Sequence, residues 1–354
     1  MTTNPLDADR PPEPERRGRR RRGGGSGRRD ESVLVPDASF QSYYGHRIVK
    51  PAPWKGDIAA YLFLGGLAAG SGLIAAGGAA AGYPALRRVG RVASVGAVAL
   101  GGVALARDLG KPSRALNMMR TVKLTSPMSV GSWILAAFGG FSGAALVSEL
   151  GASLVDRQSR VGTVLRVVDP PLAVGSALFS APLAAYTAVL LADTASPTWH
   201  ESYRELPWVF VSSANLAASG LALVAAPVEQ TGPARRLAAI SAVVEVLAFE
   251  RMQRTMGSTL SEPLHHGRAG AFVTASKVLT VGGALGGVLF GRNRAAAVAS
   301  GLALMAGSVC TRFGVFEAGI ESAKDPRYTV GPQKERLERR RAAGATDDSI
   351  TTSR

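Results

Sequence analysis

The chain has a single cysteine, Cys310, in 354 residues. One thiol excludes an internal disulfide, a zinc site built on cysteines and an iron–sulfur cluster held by cysteines. Histidine is scarce too: His46, His200, His265 and His266 are the four in the chain. All four fall outside the long apolar runs described below. A transmembrane b-type haem needs axial histidines facing one another within helices, so neither a haem nor a cluster is expected here. Charge is thin as well. Charged residues make up 19% of the chain, against about 25% in average soluble domains.

What is abundant is small and apolar. The chain is 46% hydrophobic and holds 42 glycines, yet its formal net charge is +15. That charge is unevenly spread. Residues 1–32 hold nine arginines and six acidic residues, and residues 322–354 hold eight basic and five acidic residues. The stretch 16–29 has eight arginines spaced by Gly and Ser. No apolar segment follows it directly, so neither a secretory nor a twin-arginine signal is expected. We read 1–41 as a disordered Arg-rich tail and 322–354 as a disordered charged tail. The arginines suit anionic lipid headgroups. Nucleic-acid binding is not expected, because no aromatic residues interleave with them.

The middle, 42–321, reads as membrane. A span needs about 20 mostly apolar residues. Residues 58–86, 124–148, 170–192 and 206–228 each run at least 23 residues without Asp, Glu, Lys or Arg. Shorter runs lie at 92–106 and 295–311. Residues 269–291 are interrupted by Lys277, and 237–249, the weakest, by Glu245. This predicts an all-α integral membrane protein of about eight spans. Glycine pairs such as Gly65-Gly66 and Gly282-Gly283 fit close helix packing in lipid. No Walker lysine follows them, so no phosphate loop is expected. With eight spans both termini share one side. Arg47, Lys50 and Lys55 before the first span and Lys324, Arg327 and Lys334 after the last put that side in the cytoplasm.

Charges within spans are costly and default to functional candidates. Asp57 stands at the mouth of the first span, Asp108 ends the second, and Asp193 closes the fourth. Each is either an interfacial carboxylate or part of a proton route. Glu245 and Lys277 either close a buried ion pair, with each other among the options, or form a relay. Two polar segments, at 108–118 and 126–133, lie between the second and third spans. Pro127 suits the first turn of a helix with Ser126 as cap, and the exposed amides there suit an anion or a carbonyl oxygen.

Three segments carry a resemblance. Trp54-Lys55-Gly56-Asp57 with Tyr61-Leu62-Phe63-Leu64-Gly65-Gly66, Asp108-Leu109-Gly110-Lys111-Pro112-Ser113-Arg114 with Asn117-Met118, and Ser126-Pro127-Met128 through Trp133 resemble the NrfD/PsrC family. Its members are polysulfide-reductase-type membrane anchors of molybdopterin oxidoreductases. A weaker match runs through Ala181-Pro182-Leu183-Ala184-Ala185-Tyr186. The resemblance implies two four-helix bundles in the cytoplasmic (inner) membrane. It also implies a ferredoxin-like four-cluster iron–sulfur subunit and a molybdopterin catalytic subunit as partners. A quinone, menaquinone as the expected species, would exchange near the iron–sulfur subunit. The resemblance makes Tyr186 a donor to the quinone oxygen and places Tyr44, His46, Trp54 and Asp57 at the headgroup pocket. Asp108, Lys111, Arg114 and Asn117 match the family's polar motif after the second span. The Arg-rich tail is not a feature of the family. The alternatives are a secondary transporter or proton channel, with a polar path through the sixth and seventh spans, and a purely structural anchor.

Overall fold

In the bilayer interior a backbone amide finds no water, so a spanning segment must pair its amides within itself. The long Ala/Gly/Leu/Val runs accordingly fold as helices in the computed structural model, which describes residues 47–109, 112–156 and 158–344. Tyr44, His46 and Lys111, the tail 1–41, and residues 345–354 lie outside the described residues. The described residues form ten α-helices and no strand. They are α1 (Gly56–Ala80), α2 (Pro84–Asp108), α3 (Pro127–Leu154), α4 (Arg160–Ala192), α5 (Pro197–Glu201), α6 (Leu206–Ala225), α7 (Gly232–Ser261), α8 (Gly267–Phe290), α9 (Arg294–Lys324) and α10 (Arg327–Ala342).

Among the described residues seven of these, α1, α2, α3, α4, α6, α8 and α9, are long and apolar enough to cross a membrane. The expected sixth span falls in α7. That helix is 30 residues long but is not among the seven. Arg235, Arg236, Glu245, Glu250, Arg251 and Arg254 make it too polar. Its polarity has a direction, however. Ile240, Val243 and Leu247 are exposed on one face, and Glu245 is buried on the other.

The long helices form two groups of four. In the first, α1 packs on α2 and α4, and α3 packs on α2 and α4. In the second, α6 packs on α7 and α9, and α8 packs on α7 and α9. The groups meet where α1 and α4 lie against α6 and α1 against α9. Helices α2 and α3 leave Leu100, Val103, Val147 and Leu150 exposed, as a lipid-facing surface requires. In five of the six glycine pairs within the spans, one glycine faces a neighbouring element and the other faces open space. One face of each pair is thus for packing.

Helix α5 is short but central. Trp199 is wholly buried, and its indole donates to the Val315 carbonyl at 2.8 Å. Its ring lies between Trp54 and Phe316, with centroids 5.9 and 5.7 Å away. A Cβ on Gly319 would run into that ring. Gly319→Ala is therefore expected to destabilise the fold by about 1–3 kcal/mol, the usual range for overpacking. Thermal unfolding in detergent checks this, with Gly65→Ala, where a Cβ meets nothing within 4 Å, as the neutral control.

The charged C-terminal stretch departs from its reading as a disordered tail from 322. Helix α9 runs to Lys324, and α10 occupies Arg327–Ala342. Tyr328 and Pro332 are buried and seat α10, which packs on α5, α7 and α9. Arg327 pairs with Asp325 at 2.8 Å and Glu262 at 3.3 Å. Burial pushes the Tyr328 phenol above its ordinary pKa.

Candidate functional site

The site residues are placed by helix direction. A three-residue connection joins α1 to α2, so the two are antiparallel. Asp57, second in α1, and Asp108, last in α2, share one end of the first bundle. Arg91 near the start of α2 bonds Glu149 near the end of α3 and Asp169 in the first half of α4. The start of α3 therefore lies at the Asp57 end. There the Tyr186 ring of α4 rests on Gly131 of α3 so closely that a Cβ on Gly131 would collide with it. Asp57, Asp108 and Tyr186, far apart in sequence, thus occupy one end of one bundle.

All three are half-buried. Among the described residues, the Tyr186 hydroxyl makes no hydrogen bond, and neither the Asp57 nor the Asp108 carboxylate has a hydrogen bond or ion pair. A phenol donor and two carboxylates are left available at a bundle end. Tyr61, one turn further into α1 than Asp57, is buried against Gly101 of α2 and adds an aromatic wall. Trp54 is half-buried and packs on Trp199, which ties it to the junction with the second bundle. Asn117 is exposed on the 3-10 helix Pro112–Arg120, which also contains Arg114.

Pro127 opens α3 as expected, but Ser126 makes no side-chain cap. Ser129 takes over the local bonding. Its hydroxyl accepts from the Lys123 amide at 3.0 Å and donates to the Thr121 carbonyl at 3.2 Å. The polar stretch before α3 is thereby held to the first turn of the helix.

The second bundle has a polar interior of its own. Glu245 is buried, and its carboxylate accepts from the Thr311 hydroxyl at 2.8 Å and the Thr280 hydroxyl at 3.3 Å. Ser276 and Thr311 share a hydrogen bond of 2.6 Å. Glu245 and Lys277 do not pair with each other. Lys277 reaches Glu250 instead, at 2.7 Å and in a partly exposed pair, because this carboxylate further along α7 lies within its reach. Glu245 and Lys277 nonetheless line one small cavity, together with Ser276, Thr280 and Thr311. Two of the described histidines make backbone contacts. His200 Nδ1 lies 3.1 Å from the Ala192 carbonyl, and His266 Nδ1 lies 3.1 Å from the Glu262 carbonyl. Among the described residues no group of three His, Cys, Asp or Glu could hold a metal ion.

Reading the sequence by charge-free runs missed Arg312. It looked like the boundary after a span ending at 311. In the structure α9 continues past it, and Arg312 is fully buried. Its Nη2 donates to the Phe210 carbonyl at 2.6 Å, and its guanidinium lies 3.9 Å from the Phe210 ring centre. Its Nε and Nη1 have no partner among the described residues. The apolar residues that follow, Phe313-Gly314-Val315-Phe316, are the signal that would have extended the span.

Residues 47–250 match the family model described as polysulphide reductase, NrfD. The match takes in α1 to α6 and α7 through Glu250, so it covers Asp57, Asp108, Tyr186 and Glu245. Helices α8 and α9, with Lys277 and Arg312, lie beyond it. No curated protein matches the chain.

Proposed function

Because the chain belongs to the polysulphide reductase NrfD family, and is therefore a multi-pass membrane subunit of the kind that anchors polysulfide-reductase-like complexes, we propose that its first bundle exchanges electrons with a quinone. The quinone, menaquinone as the expected species, supplies the exchange of two electrons and two protons. The proposed partners are a ferredoxin-like iron–sulfur subunit that carries the electrons onward and a molybdopterin catalytic subunit beyond it. The proposed location is the cytoplasmic membrane, with both termini in the cytoplasm. This chain holds no haem or cluster of its own on this reading, so its redox partner must dock close to the site.

The observation that carries the reading is the half-buried Tyr186, whose hydroxyl bonds to no described residue, at the bundle end that also holds Asp57 and Asp108. These groups fit a quinone headgroup. Tyr186 donates to a ring oxygen, and Tyr61 and Trp54 supply apolar walls. Asp108 holds a proton at the mouth of α2 and passes it towards the polar segment Lys111, Arg114 and Asn117.

Asp108→Asn separates this role from a structural one. Turnover with a soluble quinol analogue should fall by about 10²-fold, the low end for removing a positioned proton carrier. Binding of the analogue, read by equilibrium titration, should stay unchanged. Unchanged turnover would remove Asp108 from the proton route.

The polar interior of the second bundle supports a second reading, a proton channel or secondary transporter. The buried Glu245, its hydroxyl partners and Lys277 would line that path. A chain that moves protons or solute without a quinone would favour it.

A further inference from the structure

The outer face of α7 and α8 carries charge at a depth where lipid should meet none. Lys277 of α8 and Glu250 of α7 bond at 2.7 Å, with side chains 38% and 41% exposed. Lys277 is the eleventh of the 24 residues of α8, about 15 Å from one helix end and about 20 Å from the other at 1.5 Å per residue. Charged residues in spans almost always face a bundle interior or a cavity. The pair uses Glu250 Oε1 and one Nζ hydrogen, and Glu250 Oε2 and the other Nζ hydrogens make no hydrogen bond to a described residue. We infer that a second copy of this chain covers this face, and that the two copies meet through α7 and α8.

The face is self-complementary about a two-fold axis along the membrane normal. Such an axis keeps every residue at its own depth and sets α7 of one copy against α8 of the other. Glu250 and Lys277 share a depth, because they bond each other. Glu250 of each copy therefore meets Lys277 of the other, and two pairs become a ring of four alternating charges. The register continues along both helices. A short connection joins α7 to α8, so the two are antiparallel. From Glu250 towards the start of α7, Leu247, Val243 and Ile240 fall level with Val281, Leu285 and Val288 of α8, and all six are exposed. These spacings keep to one face of each helix. In the other direction Arg254 falls level with the exposed Thr274, whose hydroxyl oxygen can accept.

A second copy suits this face better than lipid or an unrelated helix. An acyl chain offers neither donor nor acceptor, and long basic side chains escape to the headgroups only from near helix ends. A helix of another subunit would have to bring both signs of charge at the matching depth. A second copy brings them by symmetry. Polar bonds between helices hold spans together in lipid, and the apolar residues above and below the charges close the contact. The same cover accounts for the polarity of α7, a helix of the bundle that is too polar to face lipid along its whole length.

The test uses the full chain, co-expressed as two differently tagged copies and extracted in mild detergent. Wild-type copies are expected to co-purify. Glu250→Lys in both copies should cut co-purification by roughly tenfold or more, as should Lys277→Glu in both, because like charges then face each other. One copy with Glu250→Lys and one with Lys277→Glu should pair again. A role for Glu250 and Lys277 within one chain alone predicts no such rescue. A second measurement leaves the charges in place. With Cys310→Ser in every chain, copies carrying Val243→Cys and Leu285→Cys should form an intermolecular disulfide in the membrane. Copies carrying Val147→Cys, on the lipid-facing side of α3, and Leu285→Cys should not. Monomeric wild type, folded charge variants without rescue, or no disulfide above the Val147 control would each overturn the inference and leave the face to lipid or another subunit. If the charge variants fail to fold, the disulfide pair still decides it.

Discussion

Tyr186→Phe is expected to slow quinone-linked turnover of the assembled complex by about 10²-fold or more, in the range for a positioned proton donor, with no loss of folding stability. The substitution removes one hydroxyl that bonds to no described residue. It leaves the ring on Gly131, so the packing of α3 on α4 is untouched. A matched substitution comes from the other side of the same contact. Gly131→Ala keeps the phenol but places a Cβ where the ring now lies. It should also slow turnover, by displacing Tyr186 rather than deleting its donor. If the phenol merely packs, Tyr186→Phe should be silent while Gly131→Ala costs stability. Turnover and thermal midpoint measured on both variants separate the two cases.

Arg91→Ala is expected to be among the most destabilising single substitutions, at about 3–5 kcal/mol, the range for breaking a buried pair by removing one partner. The Arg91 guanidinium ties three helices together. It belongs to α2, it bonds Glu149 and the Ala145 carbonyl of α3, at 3.1 and 3.2 Å, and it bonds Asp169 of α4. Removing it leaves two carboxylates, with side chains 11% and 24% exposed, short of their main counter-charge. Neighbouring Arg87 can still serve Glu149 but not Asp169. Asp169 should therefore account for most of the loss, and Arg91→Ala with Asp169→Ala should be less destabilising than Arg91→Ala alone. Chemical or thermal unfolding in detergent checks the order. Arg88→Ala, at an exposed position, should change little.

The membrane architecture was legible in the sequence because lipid leaves few options. Long runs without charge must become helices, and small residues let them approach. The helix termini and the buried charges were less legible, for one shared reason. A run read as charge-free stops at the first charge, so Arg91, Glu149, Asp169 and Arg312 all looked like edges. In the structure each lies inside a helix, because charges that find partners across the bundle do not need to leave it. Arg91, Glu149 and Asp169 form one network, and Arg312 is held by the Phe210 carbonyl and ring. Glu245 and Lys277 were correctly read as unusual but wrongly offered to each other. Spacing along α7 and α8 could not show that Thr311 of α9 would reach Glu245 first. Helix α10 was read as a tail because its charge density hides Tyr328 and Pro332, the two residues that seat it. Asp108 drew attention as a charge at a span end and Tyr186 through a family resemblance, and only the packing of the helices puts them at one end.

On the proposed reading this chain exchanges electrons with a quinone on behalf of a docked redox partner. The most direct measurement is purification of the full chain from its native membrane in mild detergent, followed by identification of bound quinone and of co-purifying subunits. A quinone should be extracted with the protein, and a partner subunit that carries iron–sulfur clusters should co-purify. Isolation as a lone, folded protein without quinone, active in moving protons or a solute across vesicles, would contradict it.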